Sequence, residues 1–143
     1  MNKNKGFSLV ELIVVVAIMA VLVGILAPAY LSYVEKTRRG TDENMAEEVR
    51  HTIEIATADI CVYDEVIAAM GTGSVSYPFQ KGTTIKSVAT SGSKLEEALD
   101  DVYGGKKFDI KSKKYNGKTY TVTVQNSSTS TSGAALTVTG QWN

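Results

Sequence analysis

Residues 12–27, LIVVVAIMAVLVGILA, are 16 consecutive residues with neither a charge nor a side-chain hydrogen-bonding group. Extended by residues 7–10 and 28–34, the stretch exceeds the ~20 residues needed to cross about 30 Å of hydrocarbon. In lipid it must be helical, because every backbone N–H and C=O needs a partner within the segment. Its valines and isoleucines favour strand in water, a weak propensity that burial in a bilayer overrides. The remainder of the chain is polar, so a mean hydropathy near zero averages two unlike parts. That asymmetry excludes both an ordinary globular domain and a protein that crosses the membrane many times.

The length of 143 residues suits one domain with an appendage. Fifteen basic and 15 acidic side chains give a formal net charge of zero, which argues against a general nucleic-acid binder. Cys61 is the one cysteine and His51 the one histidine. An internal disulfide and a multi-cysteine zinc site are therefore ruled out, with most histidine-based catalytic arrangements. Cys61 reads first as a small buried hydrophobe, with an intermolecular crosslink or reactive thiol as the alternative, and His51 as a solvated or boundary residue.

Three simple readings compete for the apolar segment. A cleaved secretory signal has the basic start, but its apolar stretch is shorter and ends in a small-x-small site. A plain single-span anchor fits the length and leaves Glu11 unexplained, since a charge in hydrocarbon costs roughly 2.5 kcal/mol or more. Glu11 either sits near an interface or is kept for a specific buried partner.

The order of residues around Glu11 is specific. Lys5-Gly6-Phe7-Ser8-Leu9-Val10-Glu11-Leu12-Ile13 closely resembles the class III signal of type IV prepilins and related pseudopilins. In that family a short basic leader ends in Gly, followed by Phe, Ser or Thr, Leu, a hydrophobic residue and Glu. Pro28 stands where the family commonly carries a helix-bending proline. The resemblance covers residues 1–34, about a quarter of the chain. One departure is visible: the family often has a helix-loosening glycine earlier in the apolar segment, where Ala20 and Gly24 stand here.

The resemblance implies cleavage by a membrane prepilin peptidase between Gly6 and Phe7, and N-methylation of the new Phe7 amine. It implies that Glu11 of an incoming subunit meets the free Phe7 amine of its neighbour in a helical homopolymer. Two charges in an apolar bundle are tolerable only when paired, so Glu11 sets register. The implied partners are further copies of the chain, the peptidase, a platform membrane protein and a cytoplasmic assembly ATPase. The implied location is single-pass in the cytoplasmic (inner) membrane before assembly, then an extracellular filament. Lys3 and Lys5 on one side nearly balance Lys36, Arg38 and Arg39 on the other, so the orientation rests on the resemblance and not on the positive-inside count.

Beyond the apolar segment, Met45, Val49, Ile53, Ala56, Ile60, Tyr63 and Ile67 recur at steps of three and four, which predicts that the helix continues to Gly71. Gly40 and Asp59 mark places where it would break. Residues 71–92 read as a loop with one short strand near 84–89. Ser93-Lys94-Leu95-Glu96 is a capping-box pattern opening a helix over 94–103, with Leu95, Leu99 and Val102 on one face. Strands are predicted at 107–111, 118–126 and 135–142, with Asn116-Gly117 as a tight hairpin turn. The fold class is therefore α+β: a long N-terminal helix, hydrophobic in its first half, packed by its second half on a small antiparallel β-sheet, in the manner of pilins. The domains are a leader, 1–6; a transmembrane or filament-core helix, 7–34; and a soluble head, 35–143.

No catalytic or phosphate-binding constellation is present; Gly71-Thr72-Gly73 and Gly104-Gly105 read as turns. No cofactor and no metal are expected. The first functional reading is a structural type IV pilus subunit. The second is a pseudopilin of a type II secretion or DNA-uptake system. Secretion pseudopilins commonly hold calcium in a C-terminal loop, and residues 126–133 contain no Asp or Glu. The third is a membrane-anchored module that binds DNA or a surface ligand. Lys106, Lys107, Lys111, Lys113, Lys114 and Lys118 interleave with Tyr103, Tyr115 and Tyr120, a pattern that suits single-stranded nucleic acid; the alternative is a solvated edge. Asn126-Ser127-Ser128 matches a glycan acceptor pattern. The lack of a cysteine pair hints at a Gram-positive source or a shorter pseudopilin.

Overall fold

The structure, a computed structural model, describes residues 6–71, 73–126 and 136–143. Helix α1 spans Leu9–Ala56. It is followed by α2 (Ile60–Met70), β1 (Ser74–Phe79), a 3-10 turn (Ile85–Val88), α3 (Lys94–Tyr103), β2 (Tyr120–Asn126) and β3 (Leu136–Trp142). The chain divides into two compact units, one ending at Thr37 and the other starting at Arg38.

The described part of the first unit is the apolar start of α1, and its side chains are exposed through Tyr33. Leu9, Val21, Ile25 and Tyr33 all lie more than half exposed. Among the described residues, α1 is the one helix long and apolar enough to cross a membrane.

The second unit builds a core on the rest of α1. Asp42, Ala46, Val49, Ile53 and Ala56 form its buried stripe, at the spacing of one helix face. The helix then ends at the place Asp59 marked. Ala58 N–H bonds the Ile55 carbonyl and Asp59 N–H the Ala56 carbonyl, a tightening typical of a last turn. Asp59 then caps α2 by accepting from Cys61 N–H at 2.8 Å. The interruption turns the apolar stripe out of phase. Val62, Val66 and Met70 are buried in α2, in place of the expected Ile60, Tyr63 and Ile67, and Ile60 is 73% exposed. Gly71, at φ +59°, closes α2.

The sheet is antiparallel in the order β1-β2-β3. Strand β1 falls where a loop was expected. Val75, Tyr77 and Phe79 alternate inward, and Pro78 is accommodated because β1 is an edge strand. The strand expected near 84–89 is instead the 3-10 turn. Residues 107–111 do not form a strand either. Phe108 and Ile110 point inward as the alternation required, but the backbone is engaged elsewhere: Phe108 bonds Thr83 and Gly82, and one isolated bridge joins Thr84 to Lys107. Lys111 N–H and Ser112 N–H donate to Asp42 Oδ1 and Oδ2 at 2.9 and 2.8 Å. The Asn116-Gly117 turn forms, with Gly117 at φ +83° and Lys118 N–H bonding the Tyr115 carbonyl, but no strand precedes it, so it is not a hairpin.

Helix α3 has the expected limits, with Ser93 Oγ accepting from Glu96 N–H at 3.0 Å. Glu96 reaches back to Gly92 N–H at 2.6 Å, one residue beyond the usual box. Its buried face is Leu95, Leu99 and Tyr103; Val102, expected inside, is 60% exposed. One core joins Val49 and Ile53 of α1 to Phe79, Phe108, Tyr120, Val122 and Val124. Trp142 stacks on Tyr115 at 4.2 Å between centroids.

Two expectations about stability follow. A Cβ on Gly140 would overlap the Tyr120 hydroxyl and ring, so Gly140→Ala should destabilise the head by about 1–3 kcal/mol, read as a lower denaturant midpoint from the lone Trp142 in detergent-solubilised full chain. Burial pushes the Tyr120 phenol up to about 12, with Glu47 reinforcing the shift, and burial raises Tyr77 and Tyr103 in the same direction. Near pH 10 the unfolded phenols ionise while the folded ones keep their protons. Stability should therefore be insensitive to these groups below pH ~10 and fall as pH rises toward 12. Tyr120→Phe should flatten that alkaline fall; an unchanged slope would refute the assignment.

Candidate functional site

Gly6, Phe7 and Ser8 precede α1 and belong to no helix or strand. Phe7 is 93% exposed, and no atom beyond its immediate chain neighbours approaches within 4 Å of the Gly6 Cβ position. The Gly6–Phe7 peptide bond thus lies before the first helical turn. Leader residues 1–5 lie outside the described residues.

Ser8 and Glu11 hold the first turn of α1 reciprocally. Val10 N–H donates to Ser8 Oγ at 3.3 Å, and Ser8 N–H donates to Glu11 Oε2 at 2.9 Å. The Ser8 carbonyl accepts from Leu12 N–H at 3.2 Å. This is a capping box: a hydroxyl and a carboxylate three residues apart satisfy backbone donors that the helix start leaves without partners. The positive end of the helix dipole favours the carboxylate further. Glu11, a charge in need of a partner by sequence, finds this nearer one in its own first turn. The signal was available, since Ser8-Leu9-Val10-Glu11 has the same spacing as Ser93-Lys94-Leu95-Glu96.

Pro28 lies inside α1, which continues across it. Having no N–H, it leaves the carbonyl four residues back without its helical donor. That carbonyl belongs to Gly24, the residue noted as a departure from the family pattern.

On the head, all six lysines of the 106–118 region are exposed, but the tyrosines between them are not available to stack on bases. Tyr103, Tyr115 and Tyr120 are buried in the core. The Tyr103 hydroxyl pairs with Thr52 at 2.9 Å, Tyr115 donates to Glu43, and Lys114 covers the Tyr115 ring at 4.8 Å. The aromatic half of the nucleic-acid pattern is therefore core, which overturns its interleaving as a binding surface. Cys61 is exposed, contrary to the buried reading, because the interruption before α2 turns it outward. His51 is solvated, with Nδ1 3.5 Å from Glu54. Glu47 and Glu54 bracket Arg50 at 2.8 and 2.9 Å, and the hydrogen bond that Arg50 Nε donates to Glu47 contributes most to raising the Arg50 pKa. Among the described residues, no group of three or more His, Cys, Asp or Glu side chains could hold a metal ion. Residues 127–133, with the expected loop and the Asn126-Ser127-Ser128 pattern, lie outside the description, as does Thr72.

Asp42 went unnoticed in the sequence. It is 1% exposed and is gripped by two backbone amides. It occupies a position of the apolar stripe one turn before Ala46, and a polar residue at such a position was the clue.

The capping geometry predicts hydrogen-exchange behaviour in micelles. Ser8→Ala should speed exchange of the Val10 amide, and Glu11→Ala that of the Ser8 amide, by about tenfold, the value of ~1.4 kcal/mol and in the range of a lost N-cap. Unchanged protection in both variants would contradict the box.

Residues 1–27 match the family described as the prokaryotic N-terminal methylation motif. The chain is 27% identical over 125 residues to the prepilin peptidase-dependent protein A of Clostridium perfringens, covering 87% of this chain and 81% of that protein. It is 47% identical over 38 residues to the type IV major alpha-pilin of Moraxella bovis, which covers 27% of this chain and 24% of that pilin. With a fimbrial protein of Pseudomonas aeruginosa it shares 27% identity over 116 residues, 69% of this chain and 75% of that protein. No solved structure matches. The methylation motif at the head of an exposed apolar helix, the small antiparallel sheet and these relatives agree, and together they support a likeness to type IV pilins with a class III signal.

Proposed function

We propose that the chain is a structural subunit of a type IV pilus. The observation that carries this reading is the exposed apolar face of α1 from Leu9 to Tyr33, headed by a carboxylate that accepts from Ser8 N–H. Such a face needs lipid or protein around it, and a filament core of many copies supplies protein.

The domains serve this in turn. The leader, 1–6, is removed between Gly6 and Phe7 by prepilin peptidase, and the new Phe7 amine is N-methylated. Helix residues 7–34 anchor the subunit in the cytoplasmic membrane and then form the filament core, and the head, 35–143, lies outside. Cleavage places a cation four residues from Glu11. In the polymer the amine of one subunit pairs with Glu11 of the next, because two buried charges are tolerable only together. Helix α1 bends around Gly24 and Pro28, where one hydrogen bond is missing. A platform membrane protein and a cytoplasmic ATPase drive extrusion. The role is structural, not catalytic.

The test is mass spectrometry on material sheared from native cells, with Glu11 variants alongside. Chains starting at N-methylated Phe7 in a high-molecular-weight sheared fraction are expected. Processed chain confined to the envelope would point to a pseudopilin, and unprocessed chain would refute the reading. Glu11→Gln keeps a side-chain acceptor for Ser8 N–H and loses the charge, since Gln serves in the box as Glu does. It should be as defective in filament yield as Glu11→Ala. Wild-type yield from Glu11→Gln would make the cap, not the charge, the essential function.

A further inference from the structure

The net charge of zero conceals a polar head. Segment 104–118 carries six lysines against Asp109 alone. Residues 59–71 and 93–103 carry Asp59, Asp64, Glu65, Glu96, Glu97, Asp100 and Asp101 against Lys94 alone. Within the second unit these two populations sit at different levels of α1. Lys111 and Ser112 are tied to Asp42, and Lys114 lies 3.9 Å from Glu43. The acidic helices begin beyond Ala56, roughly 20 Å farther along at 1.5 Å per residue.

The acidic end also has a shaped receptor. A groove of about 320 Å³ is lined by Ala56, Asp59, Val62, Glu97, Ala98 and Asp101, with Cys61 and Lys94. Beside lining residues in sequence, Ile60 and Val102 are 73% and 60% exposed. Its floor is apolar and its margin acidic. Glu97 is held by Lys94 at 2.7 Å, and Asp59 is used in the α2 cap. Asp101 has no ion-pair partner among the described residues. The lysine segment is its counterpart: Lys111, Lys113 and Lys114 are exposed within four residues, on a backbone fixed by Asp42 and by the buried Tyr115.

From this charge complementarity we infer that the groove between the end of α1, α2 and α3 receives the Lys111–Lys114 segment of a second copy of this chain. The inference rests on the polymer reading above and adds the contact between heads. Two unlike surfaces on one subunit make a heterologous contact, which repeats without closing and generates a helical polymer. One copy cannot make the contact with itself, because the two surfaces are roughly 20 Å apart along a helix. Opposite charges steer the approach and select the register, and the exposed Ile60 and Val102 gain cover.

A zero-length carbodiimide cross-linker applied to sheared native filaments tests the contact. Peptide mass spectrometry should find Lys111, Lys113 or Lys114 joined to Asp59, Glu97 or Asp101, and should not find those links in detergent-dispersed monomer. In parallel, Lys111→Glu/Lys114→Glu should lower filament yield by about tenfold or more, as like charges face each other. Adding Glu97→Lys/Asp101→Lys should restore it, a rescue that a misfolded head would not show. Filaments without these links, or reversal variants that assemble normally, would overturn the contact and leave the polymer standing. Wild-type cells that yield no sheared filament would overturn both.

Discussion

An apolar helix surface that the chain cannot cover by itself governs the rest of the molecule. Folding normally buries such a surface against a sheet or a second helix. Here α1 is covered only from Asp42 onward, while its earlier residues from Leu9 through Tyr33 stay open. Ordered backbone in a helix of that kind is stable in lipid because its hydrogen bonds are internal. It is stable outside lipid only against other chains. The second unit has the opposite character: it closes a core of its own around Val49, Ile53, Phe79, Phe108 and Tyr120.

The entrance to α1 uses the same local chemistry as the entrance to α3. At Ser93 and Glu96 the pair is half-buried against the core and starts a ten-residue helix. At Ser8 and Glu11 it starts a helix whose next residues are all apolar. There the cap has a second consequence. A carboxylate bonded to a backbone amide at a positive helix end is better tolerated near hydrocarbon than a free one, yet its charge is not cancelled.

Much of this was legible in the sequence. The apolar run, the motif from Gly6 to Glu11, the limits of α3 and the inward face Tyr120-Val122-Val124 all follow from local patterns, and the structure keeps them. What was hidden depended on long-range partners. Strand β1 was masked by its serines and Pro78 and exists because β2 offers it a ladder. Segment 107–111 has strand periodicity, but its next amides, at Lys111 and Ser112, are claimed by Asp42, 69 and 70 residues away. The cap at Ser8 is different, for it was written in a four-residue pattern and obscured by attention to the charge of Glu11. Of the candidate site, then, the residues were readable and their mutual bonding was not.

The interruption at residues 57–59 shows how one local event can reshape both core and surface. Had the helix run on, Ile60, Tyr63 and Ile67 would have continued the buried stripe and Val62 and Val66 would have faced water. The three-residue break, fixed by the Asp59 cap, reverses that choice. Val62, Val66 and Met70 enter the core, and Ile60 and Cys61 turn outward. Glu65 of α2 then accepts from Lys94 N–H at 2.7 Å, which fixes the start of α3 against α2. A groove with an apolar floor and an acidic margin is the geometric remainder of that arrangement. A straight helix would have buried its apolar rim and left no receptor, so the feature that breaks the sequence periodicity is also the one that gives the head a surface worth contacting.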